Sequence, residues 1–189
     1  MRAPAVVTFA ALALAGCVRD PAPALCPAVD VGGLVITEIR GPQTPEDARG
    51  PWVELYTASG ATVDLAGTRV RFRRKDGSSE VAILVRRAVE LPADGYAVLG
   101  LVDDTEAPAH IDYGFAGDYR GSWLGAAAVD VESCGRRIDR ATYDVLPKVG
   151  TYSYGGARDP DRNDLPAQWC TDPSGSGFGT PQQRNRPCP

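Results

Sequence analysis

The sequence has little histidine and lacks the short motifs that commonly mark catalytic or metal sites. It has a single histidine, no Gly-x-Ser-x-Gly nucleophile elbow, no His-Glu-x-x-His motif and no Cys-x-x-Cys pair. Positive charge is not in excess, since 20 lysines and arginines stand against 24 aspartates and glutamates. A nucleic-acid-binding domain is usually strongly basic. We therefore expect no enzymatic activity, no cofactor, no metal and no nucleic-acid partner.

Long apolar runs and helical periodicity are also missing. The longest apolar run, residues 5–14, is too short for a membrane-spanning helix, which needs about 20 residues. Arg2 precedes this run, and a charged, Pro-rich stretch follows it. These features are typical of a secretory signal peptide.

The end of this segment, Leu14-Ala15-Gly16-Cys17, resembles the lipobox of bacterial lipoproteins. The resemblance implies that residues 1–16 are a signal peptide and that Cys17 becomes an acylated N-terminus. Residues 17–32 then form a Pro- and Ala-rich tether. The expected location is the cell envelope, anchored to the membrane by lipid. Val18 favours the outer membrane of a Gram-negative host, on its periplasmic or surface side. The alternative is an ordinary signal peptide followed by a coincidental cysteine.

Four cysteines remain after Cys17, namely Cys26, Cys134, Cys170 and Cys188. An even number in an exported chain predicts two disulfides, with three possible pairings. Cys26–Cys188 with Cys134–Cys170 would staple the two ends of the domain together. Pairing of Cys170 with Cys188 is the main alternative. Zinc binding is disfavoured by the spacing of the four residues.

Short apolar runs with a period of two predict seven β-strands. These are residues 34–40, 52–57, 68–75, a run from about 80 to 85, 96–102, 127–133 and 136–143. In the third run, Val70 and Phe72 alternate with Arg69, Arg71 and Arg73, as in a strand with one buried face. The pattern predicts an antiparallel β-sandwich.

Turn signals join these strands. Asp76-Gly77 predicts one hairpin, and Cys134-Gly135 predicts a second one, with Ile138 facing the core. Apolar runs end at residue 147, and residues 147–189 are rich in Gly, Pro, Asp and Asn. We expect this part to be a long coil pinned by Trp169 and the disulfides. The folded domain then covers residues 33–189.

Six segments, taken in order, resemble the lamin-tail domain family. They are LVITEI (34–39), WVELY (52–56), VDLAG (63–67), LPADGYAVL (91–99), RIDRATY (137–143) and GTPQQRN (179–185). The chain departs from the family pattern at Thr37, where Asn is usual, and at residues 182–184. The resemblance implies an immunoglobulin-like sandwich without an active site of its own. In bacteria such domains occur in exported and surface proteins, sometimes beside hydrolases.

The arginines of the third strand are the candidate binding residues. Arg69, Arg71 and Arg73 present a basic face that suits a phosphate or an acidic glycan. The simpler interpretation, which we favour, is a solvated strand face whose charges also protect a sheet edge from aggregation.

Two loops carry weaker signals. His110 lies near Asp103 and Asp104, which suggests either a hydrolase-like pair or, as we favour, a solvated acidic loop. Residues 159–164 begin like a calcium-binding EF-hand loop, but Asp164 replaces the required glycine and Cys170 replaces the bidentate glutamate. A turn stabilised by its own Asp and Asn side chains is the simpler interpretation.

Taken together, these features predict a non-enzymatic lipoprotein of the cell envelope. Its expected role is structural or adhesive, holding an envelope protein or a glycan near the membrane to which the lipid anchors it. The alternatives are an accessory or diverged exported hydrolase and a calcium-binding surface module.

Overall fold

A computed structural model describes residues 25–189, apart from 45, 46, 48, 121, 124, 126 and 157. The predicted signal peptide, the expected lipidation site at Cys17 and the rest of the predicted tether up to residue 24 lie outside the described residues. Within the described part, no helix is long and apolar enough to span a membrane.

Twelve β-strands form the described structure. They are β1 (Leu34–Arg40), β2 (Trp52–Thr57), β3 (Val63–Asp64), β4 (Arg69–Arg73), β5 (Val81–Leu84), β6 (Glu90–Leu91), β7 (Tyr96–Gly100), β8 (Tyr113–Gly114), β9 (Ala127–Ser133), β10 (Arg136–Tyr143), β11 (Thr151–Tyr154) and β12 (Trp169–Asp172). Two 3₁₀ turns, Asp104–Glu106 and Pro166–Gln168, and a single helical turn, α1 (Ser174–Gly177), complete the elements. The predicted all-β fold is confirmed.

Three sheets arise from these strands. A six-stranded sheet has the order β12-β11-β1-β2-β7-β8, and a four-stranded sheet has the order β10-β9-β4-β5. Strands β3 and β6 form a separate pair. The pairing is antiparallel except between β7 and β8, which run parallel. The sandwich is therefore mostly, and not wholly, antiparallel.

Apolar side chains from both large sheets meet in one core. Those from the six-stranded sheet include Ile36, Val53, Leu55 and Leu99, and those from the four-stranded sheet include Val70, Phe72, Val129 and Ile138. Complete burial of one such side chain contributes about 1.5–3 kcal/mol to folding. This shared core holds the two sheets face to face.

The six-stranded sheet is also covered on its other face. Trp52, Val98 and Ile111 form a second buried cluster there. Phe178 packs edge-on against Trp52, with ring centroids 6.5 Å apart. As a result every residue of β1 and β2 is buried, including their polar ones.

The strongest sequence patterns predicted their strands well. The bounds of β1, β2, β9 and β10 are those expected, and β4 is shorter than the predicted strand at residues 68–75. Both predicted hairpins are confirmed, since β4 pairs with β5 and β9 pairs with β10. Cys134 and Gly135 both have positive φ, at 50° and 74°, as a two-residue hairpin turn of this kind requires.

The expectation of an uninterrupted coil over residues 147–189 is wrong. Strands β11 and β12 lie in this segment and extend the six-stranded sheet beyond β1. Trp169, expected to pin the coil, is the first residue of β12 and stacks on Tyr152 with centroids 4.7 Å apart. Both strands are only four residues long and contain no aliphatic side chain, so neither forms an apolar run of the kind that identified the other strands.

The four cysteines form two disulfides, as predicted, but with the alternative pairing. Cys26 bonds Cys134, and Cys170 bonds Cys188. The expected pairs Cys26–Cys188 and Cys134–Cys170 are wrong. Each end of the domain is stapled to the nearest sheet instead, the N-terminal end to the β9–β10 turn and the C-terminal end to β12.

Candidate functional site: an arginine-lined cleft

The outward face of the four-stranded sheet carries the candidate arginines. The alternation of β4 turns Val70 and Phe72 inward and places Arg69, Arg71 and Arg73 on the other face. Because β4 lies between β9 and β5, it is not an edge strand. The suggestion that these charges protect a sheet edge is therefore wrong. Their neighbours on β9 are acidic, which gives the charges a different role.

Arg73 is held by a carboxylate that is itself buried. Asp130 on β9 is fully buried and receives hydrogen bonds from Arg73 and, at 2.5 Å, from Nε of Arg140. Removing a carboxylate from water is costly unless cations and hydrogen bonds compensate it. Arg73 thus stabilises the sheet and is no longer a candidate for ligand binding.

Arg71 is partly engaged in a similar way. Its Nε donates to Glu132 at 2.7 Å, and its Nη1 donates to Glu80. These bonds raise the pKa of the Arg71 guanidinium above its usual value. Arg71 therefore remains charged beside the cleft, with its direction set by β9 and the β4–β5 hairpin.

Arg69 differs from both. It is exposed, and within the described part of the chain its side chain makes no hydrogen bond or ion pair. It stands at the start of β4, opposite Glu132 on β9 and Leu84 on β5. Its guanidinium group is available to a ligand.

A cleft of about 590 Å³ opens beside Arg69. Its lining includes Arg71, Arg86, Leu84 and the Cys26–Cys134 disulfide. The volume lies within the roughly 300–1,000 Å³ range of small-molecule sites in proteins. Of the three predicted binding residues, the structure thus brings Arg69 and Arg71 to one cleft and leaves Arg73 out.

The N-terminal segment, residues 25–29, was expected to be part of the tether, but its first two residues form one wall of this cleft and the segment is fixed in place. Gly67 has a φ of +87°, and a Cβ there would lie 1.9 Å from the carbonyl oxygen of Leu25. Only glycine lets the segment pass this closely. The Ser133 hydroxyl donates to the carbonyl oxygen of Pro27 at 2.5 Å, and Arg136 donates to that of Val29 at 3.0 Å.

A second notable site is a pair of buried glutamates that sequence reasoning missed. Glu38 on β1 and Glu54 on β2 are direct partners in the sheet, and both are fully buried. Glu54 accepts hydrogen bonds from the Thr37 hydroxyl and the Gln182 backbone N–H, both at 2.7 Å. Burial, followed by repulsion from Glu38, raises the pKa of Glu54 well above its usual value.

Glu38 is covered by the same C-terminal segment, residues 179–185. It accepts from Ser153 at 2.7 Å, from the Thr151 hydroxyl and from the Thr180 backbone N–H at 3.2 Å. Burial raises the pKa of Glu38, and these hydrogen bonds act in the opposite direction. The Asn185 amide bonds the carbonyl oxygen of Thr37 at 2.6 Å. The pair therefore serves to dock residues 179–185 onto β1 and β2.

A further buried carboxylate, Asp139, joins the two sheets. It accepts from the Ile36 backbone N–H and from the Asn163 amide, each at 2.7 Å. Burial raises the pKa of Asp139 to about 7. Asn163 belongs to the loop with partial EF-hand spacing, and its side chain is directed inward.

The rest of that loop uses its acidic residues locally. Asp159 accepts from the backbone N–H of Asp161 at 2.9 Å, which is the geometry of an Asx turn. Among the described residues, no group of three or more His, Cys, Asp or Glu is placed to hold a metal ion. The loop geometry favours the turn interpretation.

His110 and the aspartates near it in sequence make different contacts. Its ring packs edge-on against Phe178 at 4.5 Å, and burial lowers the pKa of the imidazole. Asp104 binds Arg87, and Asp103 caps the first 3₁₀ turn by accepting from the Thr105 N–H. His110 thus packs against the C-terminal segment, and the loop is less solvated at this point than expected.

Comparison with known proteins adds no identification. No model of a known protein family matches the chain, and no curated protein matches it. The resemblance to the lamin-tail family therefore rests on the six sequence motifs alone.

Proposed function

We propose that this chain is a non-enzymatic lipoprotein of the cell envelope whose domain binds a partner close to the membrane. In this proposal the sandwich is of the lamin-tail, immunoglobulin-like type. The observation that carries the proposal is the Cys26–Cys134 disulfide. It fixes the N-terminal segment beside an open cleft that presents Arg69.

The position of this disulfide limits how far the cleft can be from a lipid anchor. If Cys17 is acylated, nine residue steps separate it from Cys26. A fully extended chain covers about 3.3–3.6 Å per residue, so the tether spans about 30 Å at most. Cys26, which lines the cleft, then lies within about this distance of the membrane surface. Two disulfides also suit an oxidising, extracytoplasmic compartment.

The surroundings of the buried carboxylates support a binding role over a hydrolytic one. A hydrolase that used Glu38 and Glu54 as a catalytic pair, as glycosidases use two carboxylates, would need both groups in an open site. Here they accept hydrogen bonds from the chain itself and lie beneath residues 179–185. The open cleft, by contrast, is lined by cationic and apolar side chains.

The first test is the intact mass of the protein from a membrane fraction, alkylated with and without reduction. We expect a diacyl or triacyl mass on a chain beginning at Cys17, and four alkylations only after reduction. A mass equal to the uncleaved chain with freely alkylated thiols would remove the envelope proposal.

A second test addresses the partner. Crosslinking in envelope fractions should capture a specific protein or glycan through the wild-type chain, and Arg69→Gln should lose it. Arg74→Gln is the matched control, because Arg74 is exposed at the opposite end of β4. Equal capture by both variants would exclude the cleft as the binding site.

A further inference from the structure

Two exposed groups without an evident structural purpose face the same cleft. One is the Arg69 guanidinium, which makes no polar contact within the described residues. The other is Leu25, a large apolar side chain that is 72% exposed. The position of Leu25 is fixed, since its carbonyl oxygen lies against Gly67 and the next residue, Cys26, is disulfide-bonded. An exposed apolar group held in place beside a cation suggests a ligand with both characters.

The charges of the cleft favour an anion. Three guanidinium groups line it, those of Arg69, Arg71 and Arg86, against the single carboxylate of Glu132. That carboxylate already accepts from Arg71. Arg86 pairs with Asp118 through one nitrogen, yet its side chain stays 61% exposed. Hydrogen bonds from arginine to carboxylate or phosphate are among the strongest that proteins form.

The remaining walls of the cleft are apolar. They consist of Leu25, Leu84, Val85 and the disulfide. A phosphate group alone fills only a small part of 590 Å³, since one water molecule occupies about 30 Å³ of liquid. The rest of the cleft would then be lined by these apolar side chains and the disulfide sulfurs.

We propose that this cleft binds an anionic amphiphile, with its phosphate or carboxylate on Arg69 and Arg86 and its apolar chain against Leu25 and Leu84. This inference deepens the proposed function and rests on it for location alone. It selects an anionic, lipid-like ligand over a neutral glycan, because a neutral glycan would use neither the cations nor the apolar wall. A membrane lipid headgroup and a soluble acyl anion share this chemistry.

The test is a calorimetric titration with octyl phosphate below its critical micelle concentration. The protein is the full chain from residue 17 carrying Cys17→Ser, so that no acyl chain of its own competes. We expect saturable binding at one site. Octyl glucoside, which has the same tail and a neutral head, and inorganic phosphate, which has no tail, should each bind at least tenfold more weakly.

Variants locate the site. Arg69→Gln should weaken octyl phosphate binding about tenfold or more, and Leu25→Ser should weaken it severalfold. Arg74→Gln should bind as wild type does. Both residues changed at the site are exposed, so the melting temperature should stay near that of the wild type. Absence of octyl phosphate binding, equal binding of octyl glucoside, or unchanged binding by Arg69→Gln would overturn the proposal.

Vesicles separate the two ligand sources. Sedimentation with phosphatidylglycerol vesicles but not with phosphatidylcholine vesicles, lost in Arg69→Gln, would assign the site to a membrane lipid. Octyl phosphate binding without retention on vesicles would assign it to a soluble amphiphile. These measurements use purified protein, so their failure would leave the lipidation test untouched. Failure of lipidation would likewise leave the binding result standing.

Discussion

The two large sheets place charged side chains on their strands in opposite ways. On the four-stranded sheet, Arg71 and Arg73 meet acidic partners on β9 at an outward face. On the six-stranded sheet, Glu38 and Glu54 lie side by side with no cation bonded to them in the described structure. Asp130 on β9 is compensated by the cations of Arg73 and Arg140, whereas Glu38 and Glu54 rely on backbone N–H groups, hydroxyls and a raised proton affinity. Buried carboxylates in this domain are therefore stabilised in two ways, by cations where arginines lie beside them and by neutral donors where none does.

This difference follows from the cost of removing a charge from water. Solvated ion pairs are typically worth about 0–1 kcal/mol and are screened by salt. A buried carboxylate without a cation is far more costly, and its neutral form becomes favoured. We therefore expect the pH dependence of stability to come mainly from the buried carboxylates, and ligand binding to come from the surface arginines.

The largest expected effect is on stability, and it distinguishes the disulfide at the N-terminal end of the domain from the one at the C-terminal end. Cys26–Cys134 closes a loop with a sequence separation of 108, and Cys170–Cys188 one of 18. In the loop-entropy model, loss of the first should cost about 5 kcal/mol and loss of the second about 3 kcal/mol. Denaturant unfolding of Cys26→Ser/Cys134→Ser and Cys170→Ser/Cys188→Ser measures both. A larger cost for the second pair would show that docking of the C-terminal segment outweighs loop closure.

The next effect concerns Asp139, whose folded pKa of about 7 exceeds its usual value of 3.8. A raised folded pKa means that the contribution of this group is fully present below about pH 4 and is lost as pH rises through 7. Between pH 4 and pH 8, the free energy of unfolding of the wild type should therefore fall by up to about 4 kcal/mol relative to that of Asp139→Asn. The variant can keep its acceptor oxygen for Ile36. Parallel stability curves for the two proteins would contradict the prediction.

Glu54→Gln tests the interior pair directly. Because the pKa of Glu54 is raised, its stabilising contribution is likewise lost as pH increases. The variant should be more stable than the wild type at pH 8, and this advantage should vanish near pH 4. Thermal unfolding across this range measures it, with exposed Glu106→Gln as the control. An advantage independent of pH would point to packing instead of ionisation.

The smallest effects contrast two arginines of one strand. Arg69→Gln should change the free energy of unfolding by less than about 0.5 kcal/mol, as is usual for exposed positions. Arg73→Gln should cost about 1 kcal/mol, because the buried Asp130 keeps Arg140 but loses its second cation. Urea unfolding compares them. Equal effects would remove the distinction between a free and a structural arginine.

Local patterns predicted much of the fold. Val70 and Phe72 alternate with arginines, and this period of two identifies a strand without knowledge of its neighbours. The Cys134-Gly135 turn is equally local, since positive φ is a property of the turn residues themselves. The same reasoning failed for β11, which is only four residues long, contains no aliphatic residue and is a strand because β1 pairs with it.

The candidate site was predictable in part. Sequence placed Arg69, Arg71 and Arg73 on one face, yet could not rank them, because their ranking depends on Asp130 and Glu132 about 60 residues later. The buried glutamates left a faint signal as acidic residues within apolar strand segments. Their closure by residues more than 100 positions away left none.

The amino-acid sequence was enough to predict the all-β class, the strands with strong alternation, the hairpins and the presence of two disulfides. Each of these follows from neighbouring residues or from cysteine number. The packed fold was needed to show which cysteines pair, which carboxylates are buried and which arginine stays free beside the cleft. Those outcomes depend on contacts between distant segments, where burial and distance, and not residue type, set the energy of a charge or a thiol.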